Sequence, residues 1–183
     1  DRSKRVGKRI LPKGEFNMSR LFQGNPPAHY KGGIVMDKHI TAPITKKVSR
    51  TLRAGDYVYI TGTIYTAREG RSIGSAGSTT ASCRDRYALK LLDLGLTAMI
   101  GKGKRSPEVL EAVKRNGSVY LAAVGGAGAL LSKCIKESEV VAYNDLGAEA
   151  IRKLKVEDFP AIVVADCEGN NLYETAIKEY QKI

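Results

Sequence analysis

The sequence predicts an α/β domain with much parallel strand pairing. Three observations predict it. From Tyr57 onward, short apolar runs rich in β-branched residues alternate with stretches of helical periodicity. Glycine-rich turns mark strand ends, as at Gly101–Gly103 and Gly125–Gly128. Finally, 183 residues with 43% hydrophobic and 27% charged side chains suffice for one packed core and are too apolar for wholesale disorder.

The elements follow in order. Residues 1–36 have weak periodicity and many turn formers, among them Gly24, Pro26, Pro27, Gly32 and Gly33. They read as an irregular basic arm, and the domain proper is expected at 37–183. Ile40–Pro43 is extended, because the residue before a proline is driven towards β. Thr45–Leu52 is a short helix or turn, and Arg53–Asp56 is a turn. Tyr57–Ile60 is a strand of aromatic and β-branched residues that continues to Thr66. After Gly77 the period becomes helical: Tyr87, Leu91 and Leu94 share a face, Ala88 and Leu92 lie beside them, and Gly95 ends the helix. Leu96–Ile100 is a short buried strand. Ser106, Pro107 and Glu108 open the next helix as cap, first residue and dipole-facing acid. Leu110 and Val113 supply its apolar face, and Asn116-Gly117 stops it. Ser118–Val124 is a buried strand, Ala129–Ile135 a helix, Val140–Tyr143 a strand, Gly147–Leu154 a short helix and Ala161–Ala165 a strand. Glu168–Asn171 turns, Leu172–Tyr173 extends briefly, and Thr175–Lys182 forms a terminal helix.

The net charge of +11 invites a nucleic-acid reading, but its distribution argues otherwise. Residues 1–53 carry 13 basic and 3 acidic residues, a net +10, and the remaining 17 basic and 16 acidic residues leave the body at +1. The arm suits phosphate backbones, yet the body shows no nucleic-acid-binding signature. A solvated arm, or one that docks on an acidic partner, is the favoured reading. Apolar runs such as Val119–Val124 are far shorter than the roughly 20 residues a transmembrane helix needs. The basic N-terminal stretch lacks an apolar h-region, so no signal peptide is expected. Three cysteines do not make a disulfide framework, and reduced thiols in the cytoplasm are expected.

Four segments could carry chemistry. Gly101-Lys102-Gly103-Lys104-Arg105-Ser106 lies between a strand and a capped helix, where ligands bind in such sheets. Its glycines allow close backbone approach, and Lys102, Lys104 and Arg105 suit an anion beside a helix N-terminus. It lacks P-loop spacing, and a basic surface turn remains the alternative. In Gly74-Ser75-Ala76-Gly77-Ser78-Thr79-Thr80-Ala81-Ser82-Cys83-Arg84-Asp85, hydroxyls precede an Arg at a helix start, a combination that can hold a carboxylate. The alternative there is a flexible linker and an ordinary cap. Arg68 ends the strand segment Thr61–Thr66. Gly125-Gly126-Ala127-Gly128 lacks dinucleotide-loop spacing and reads as tight strand-to-helix packing. Cys83, Cys134 and Cys167 are widely spaced and only His29 and His39 are present, so a metal site within this chain is not expected.

Together these segments resemble one family. Thr61–Arg68, Gly74–Thr80, Met99–Ser106, Ala122–Leu131, Val156–Val163 and Gly169–Tyr173 look like the beta subunit of two-subunit class I fumarate hydratase, which is similar to the C-terminal domain of the single-chain enzymes and to the beta subunit of tartrate dehydratase. The likeness runs from about His39 to Tyr173. It implies a swivelling β/β/α domain with a mixed sheet. It implies a hydro-lyase of the tricarboxylic acid cycle that interconverts fumarate and malate. The Lewis acid is a [4Fe–4S] cluster carried by the partner alpha subunit, and the assembly is a hetero-oligomer.

Carried over residue by residue, Arg68 and Arg84 match the clamps on the dicarboxylate substrate, and Lys102 matches an active-site lysine. The Thr pair matches a catalytic hydroxyl, with Thr79 preferred and Thr80 its neighbour. Lys104 and Arg105 complete the expected substrate-binding set. Ser78 stands where the family has proline, and the family's Thr-to-Arg spacing of four is met by Thr80–Arg84. Glu69–Ile73 also joins segments that the family separates by a helix, which carries an active-site His, and a strand. A stretch left out between Glu69 and Gly70 is favoured over a true deletion. Tartrate or another 2-hydroxy acid is the near alternative substrate, and a non-catalytic nucleic-acid-binding module is the alternative of another class.

Overall fold

A computed structural model of the chain describes residues 37–66, 85–123, 128–145 and 150–180. The described elements run β1 (Lys38–Ala42), α1 (Lys46–Ser49), β2 (Tyr57–Tyr65), α2 (Asp85–Asp93), β3 (Ala98–Gly101), α3 (Pro107–Asn116), β4 (Val119–Ala123), α4 (Gly128–Cys134), β5 (Ile135–Ala142), β6 (Ile151–Ala165) and α5 (Leu172–Tyr180). The strands form one sheet in the order β1-β2-β6-β4-β3, with β5 also paired to β6. Strands β1 and β2 are parallel, as are β3 and β4, while β6 runs antiparallel to β2, β4 and β5. The sheet is therefore mixed, as the resemblance implies.

Two apolar layers cover the sheet. Val119, Leu121 and Ala123 of β4 face one layer with Ile40, Leu52, Val58, Ile60, Leu131 and Val163. Tyr120 and Ala122 face the other, which α2 and α3 close with Ala88, Leu92, Val109, Ala112 and Val113. All five β4 residues are buried, which explains why that strand reads as an unbroken apolar run rather than an alternating one.

Helix α3 forms as its sequence dictates. Ser106 is the N-cap, its Oγ accepting from the Val109 N–H at 3.4 Å, and Pro107 occupies the first turn. Gly117 closes the helix in the left-handed region at φ 63°. The Ser106 hydroxyl also bonds Glu108, which holds that carboxyl below its ordinary value. Replacing Ser106 by Ala should lower unfolding stability by about 1 kcal/mol, read as a shifted denaturation midpoint.

Four expectations need correction. In α2 the buried stripe is Ala88 and Leu92, while Tyr87, Leu91 and Leu94 point to solvent, Leu94 with 75% of its surface exposed. Residues 151–154 are not helical; they begin the fifteen-residue β6, wedged between β2 and β5. Cross-strand ion pairs hold them there, Lys155 to Glu137 at 2.9 Å and Lys153 to Glu139 at 3.6 Å. Leu172–Tyr173 starts helix α5 instead of extending. In addition, β5 begins at Ile135, five residues before the expected Val140.

Strand β6 passes a bulge between its halves: Ile60 faces Phe159, then Gly62 faces Val156. Asp158 takes a left-handed φ of 48° there, and its N–H donates to Thr61 Oγ1 at 3.1 Å. Pro160, which has no N–H to give a ladder, sits next to that irregularity. At the far end of β6, buried Asp166 accepts from the backbone N–H groups of Ala54, Glu168 and Asn170, each at 3.0 Å. This carboxylate staples the turn before β2 to the turn before α5. The Glu69–Gly70 junction, where a left-out stretch is the favoured reading, falls in a part of the chain that the structure does not describe. Residues 67–84 lie outside the described residues.

Candidate functional site

The loop after β3 carries the best-described candidate residues. Lys102 and Lys104 are exposed, and Gly103 between them has φ 86°, a conformation that side chains rarely adopt. The backbone bend that presents two cations on adjacent sides thus depends on that glycine.

Arg105 behaves differently. Its side chain is only 6% exposed, and its Nη1 donates to Asp85 Oδ1 at 2.8 Å. Asp85 is the first residue of α2, and its Oδ2 accepts from the Ser106 N–H at 2.7 Å. The Arg105 guanidinium lies over the Tyr120 ring, 4.8 Å from its centroid. The Tyr120 hydroxyl donates to the Gly103 carbonyl at 2.9 Å. Burial drives the Tyr120 pKa well above the ordinary tyrosine value, so the ring stays protonated and able to donate. Burial also raises Tyr173 of α5, whose hydroxyl meets the Gly103 backbone. Side chains from α2, β4 and α5 therefore converge on one loop. Asp85 closes the Gly74–Asp85 segment picked out in the sequence but had no role assigned there, and Tyr120, inside an apolar run, and Tyr173 had none either.

The other expected site residues, Arg68, Thr79, Thr80 and Arg84, lie outside the described residues, as does Cys83. The described neighbours locate the segment's ends. Asp85 directly follows Arg84 and is bound to the Lys102 loop. Thr66 precedes Arg68 by two residues and is bound to Arg152 at the start of β6, N–H to carbonyl at 2.9 Å. By register, β4 leaves the sheet beside Ala161, whereas Tyr65 of β2 pairs with Lys153. Those β6 positions are separated by about 26 Å of extended strand. The sheet thus brings the α2 start to Lys102, and does not by itself bring Thr66 there.

Among the described residues, no three His, Cys, Asp or Glu side chains gather as metal ligands. An iron–sulfur cluster does not fit them, and no step is assigned to one on this chain. No described helix is long and apolar enough to cross a membrane.

Comparison with known proteins agrees with this architecture. The family described as "Fumarase C-terminus" matches residues 54–176. "Fumarate hydratase 2" of Leishmania major is 35% identical over 178 residues, covering 94% of this chain and 28% of that protein. "Fumarate hydratase class I, aerobic" of Escherichia coli is 44% identical over 108 residues, covering 58% of this chain and 20% of that protein. "Putative L(+)-tartrate dehydratase subunit beta" of Methanocaldococcus jannaschii is 31% identical over 182 residues, covering 76% of this chain and 93% of that subunit. The chain thus spans under a third of the two fumarate hydratases and nearly all of the beta subunit. It belongs to the fumarase C-terminus family.

Proposed function

We propose that this chain is the beta-type part of a hydro-lyase interconverting fumarate and malate, and that it supplies the clamp on the substrate's carboxylates. One observation carries the reading: in a domain of this family, the Gly-Lys-Gly loop is held with Lys102 exposed beside the start of α2. In this reading Lys102 and Lys104 draw one carboxylate, Arg84 holds the other, and Thr79 or Thr80 offers a hydroxyl near the reacting carbons; Arg68, expected beside Arg84, follows Thr66 at the end of β2 that the sheet does not bring to Lys102. A dicarboxylate requires cations at both ends, and fixing both ends converts an encounter into an oriented complex. Donors already in place also stabilise charge as it develops during proton abstraction. An alpha-type partner supplies the [4Fe–4S] Lewis acid that activates the hydroxyl or water. Arg105, expected among the substrate contacts, is turned towards Asp85.

The test is co-expression with a candidate alpha subunit, anaerobic purification, and product assays on fumarate and on tartrate. Malate from fumarate supports the proposal. Turnover of tartrate alone selects the dehydratase reading, which the Methanocaldococcus relative favours. An assembled complex that turns over neither would sink both. The basic arm's nucleic-acid reading is checked by filter binding across a salt series, where the absence of affinity at physiological salt removes it.

A further inference from the structure

We infer that Asp85, Arg105 and Tyr120 are positioning residues that hold the Lys102 loop against the start of α2, and so set the placement of Lys102 relative to that helix. The functional meaning rests on the role proposed above for Lys102, whereas the positioning itself does not.

The contacts form a closed path. Asp85 accepts from Arg105 Nη1 at 2.8 Å and from the Ser106 N–H at 2.7 Å, so one carboxylate grips the loop's exit at two adjacent residues. Arg105 lies on the Tyr120 ring, and the Tyr120 hydroxyl returns to the Gly103 carbonyl at 2.9 Å. Gly103 is thereby tied from below through β4, while Ser106 is tied from the side through α2. The two exposed lysines, Lys102 and Lys104, flank the Gly103 anchor. Arg105 and Asp85 side chains are 6% and 13% exposed, so water competes little for their bonds. A guanidinium is needed here because its planar fork pairs with a carboxylate while its face covers a ring, and an ammonium cannot do both.

Hydrogen exchange on the full chain tests this. Tyr120→Phe keeps the ring beneath Arg105 and removes only the bond to Gly103. Asp85→Asn is nearly isosteric, but its NH2 must face either Arg105 Nη1 or the Ser106 N–H, both donors. The Ser106 amide, whose N–H is bonded to Asp85, should exchange about tenfold faster in both variants as the loop loosens, the factor that loss of one net hydrogen bond supports. The β4 amides should stay within about twofold of the parent, because local opening does not require global unfolding. Arg105→Lys should free the Ser106 amide as Asp85→Asn does. Unchanged loop amides, or an equal rise in β4, would overturn the positioning role. In the assembled enzyme the same variants should lower kcat for the dicarboxylate by about tenfold with KM little changed, a fraction of the loss expected on removing Lys102 itself. Faster loop exchange with an unaltered kcat would uphold the positioning and remove Lys102 from the clamp.

Discussion

Gly62→Ala should destabilise the domain by about 4 kcal/mol. Gly62 sits at φ 130°, where a side chain is strained whatever space surrounds it. There is also no space. A Cβ built on Gly62 would overlap the Ala42 carbonyl oxygen and lie 3.0 Å from the Ala42 N and 3.1 Å from its carbonyl carbon. All three are backbone atoms of β1, the strand paired with β2 through Ala42↔Gly62, so no side-chain rotation relieves the contact. Strain at a disallowed φ costs about 1–3 kcal/mol. Forcing the two backbones apart adds a cost of roughly 1–3 kcal/mol, as for other overpacked sites. Their sum, on the order of 4 kcal/mol, is a large share of a typical domain's stability. Urea denaturation should show a midpoint displaced by that amount. A variant within about 1 kcal/mol of the parent would show that β1 can move away freely.

Lys102→Ala should abolish most activity in the assembled hydro-lyase while leaving this domain folded. Lys102 is exposed, so its truncation opens no cavity. In the proposed clamp it stabilises charge on the substrate, and losing one such preorganised donor typically lowers kcat by about 100- to 1,000-fold. Arg84→Ala should act comparably, with assembly intact. Steady-state kinetics beside a denaturation curve separates the two effects. A Lys102→Ala enzyme with parental kcat/KM would mean that the loop's cations serve another purpose.

Local structure was the legible part of the fold. The α3 boundaries followed from Ser106, Pro107 and Gly117, because capping chemistry is written in adjacent residues. The Tyr57–Tyr65 strand was equally clear from its aromatic and β-branched run. What failed depended on partners distant in sequence. The stretch from Ile151 to Val156 has charged residues among its apolar ones, which fits a short helix as well as a strand. Pairing with β2 on one side and β5 on the other, which buries Val156 and packs Leu154 against the core, favours the strand. Helix α2 was misoriented for a related reason: its two apolar faces compete, and the small Ala88 wins because it packs against the α3 side of the sheet.

At the candidate site, the Lys102 loop was identifiable from its glycines and cations. The Asp85–Arg105 pair was not, because nothing in the sequence marks which of three neighbouring cations turns inward. The contrast between buried Arg105 and exposed Lys102 and Lys104 arises from Tyr120, fifteen residues beyond Arg105 and on another element.

The central claim is that this chain provides the substrate clamp of a two-part hydro-lyase. The most direct measurement is an anaerobic titration of a fixed amount of alpha-type partner with the full chain, following malate formed from fumarate. Activity should rise from nothing and level off at equimolar chain, and the Lys102→Ala chain should bind the partner to the same endpoint without restoring turnover. Full activity from either component alone, or from the complex with Lys102→Ala, would contradict the account.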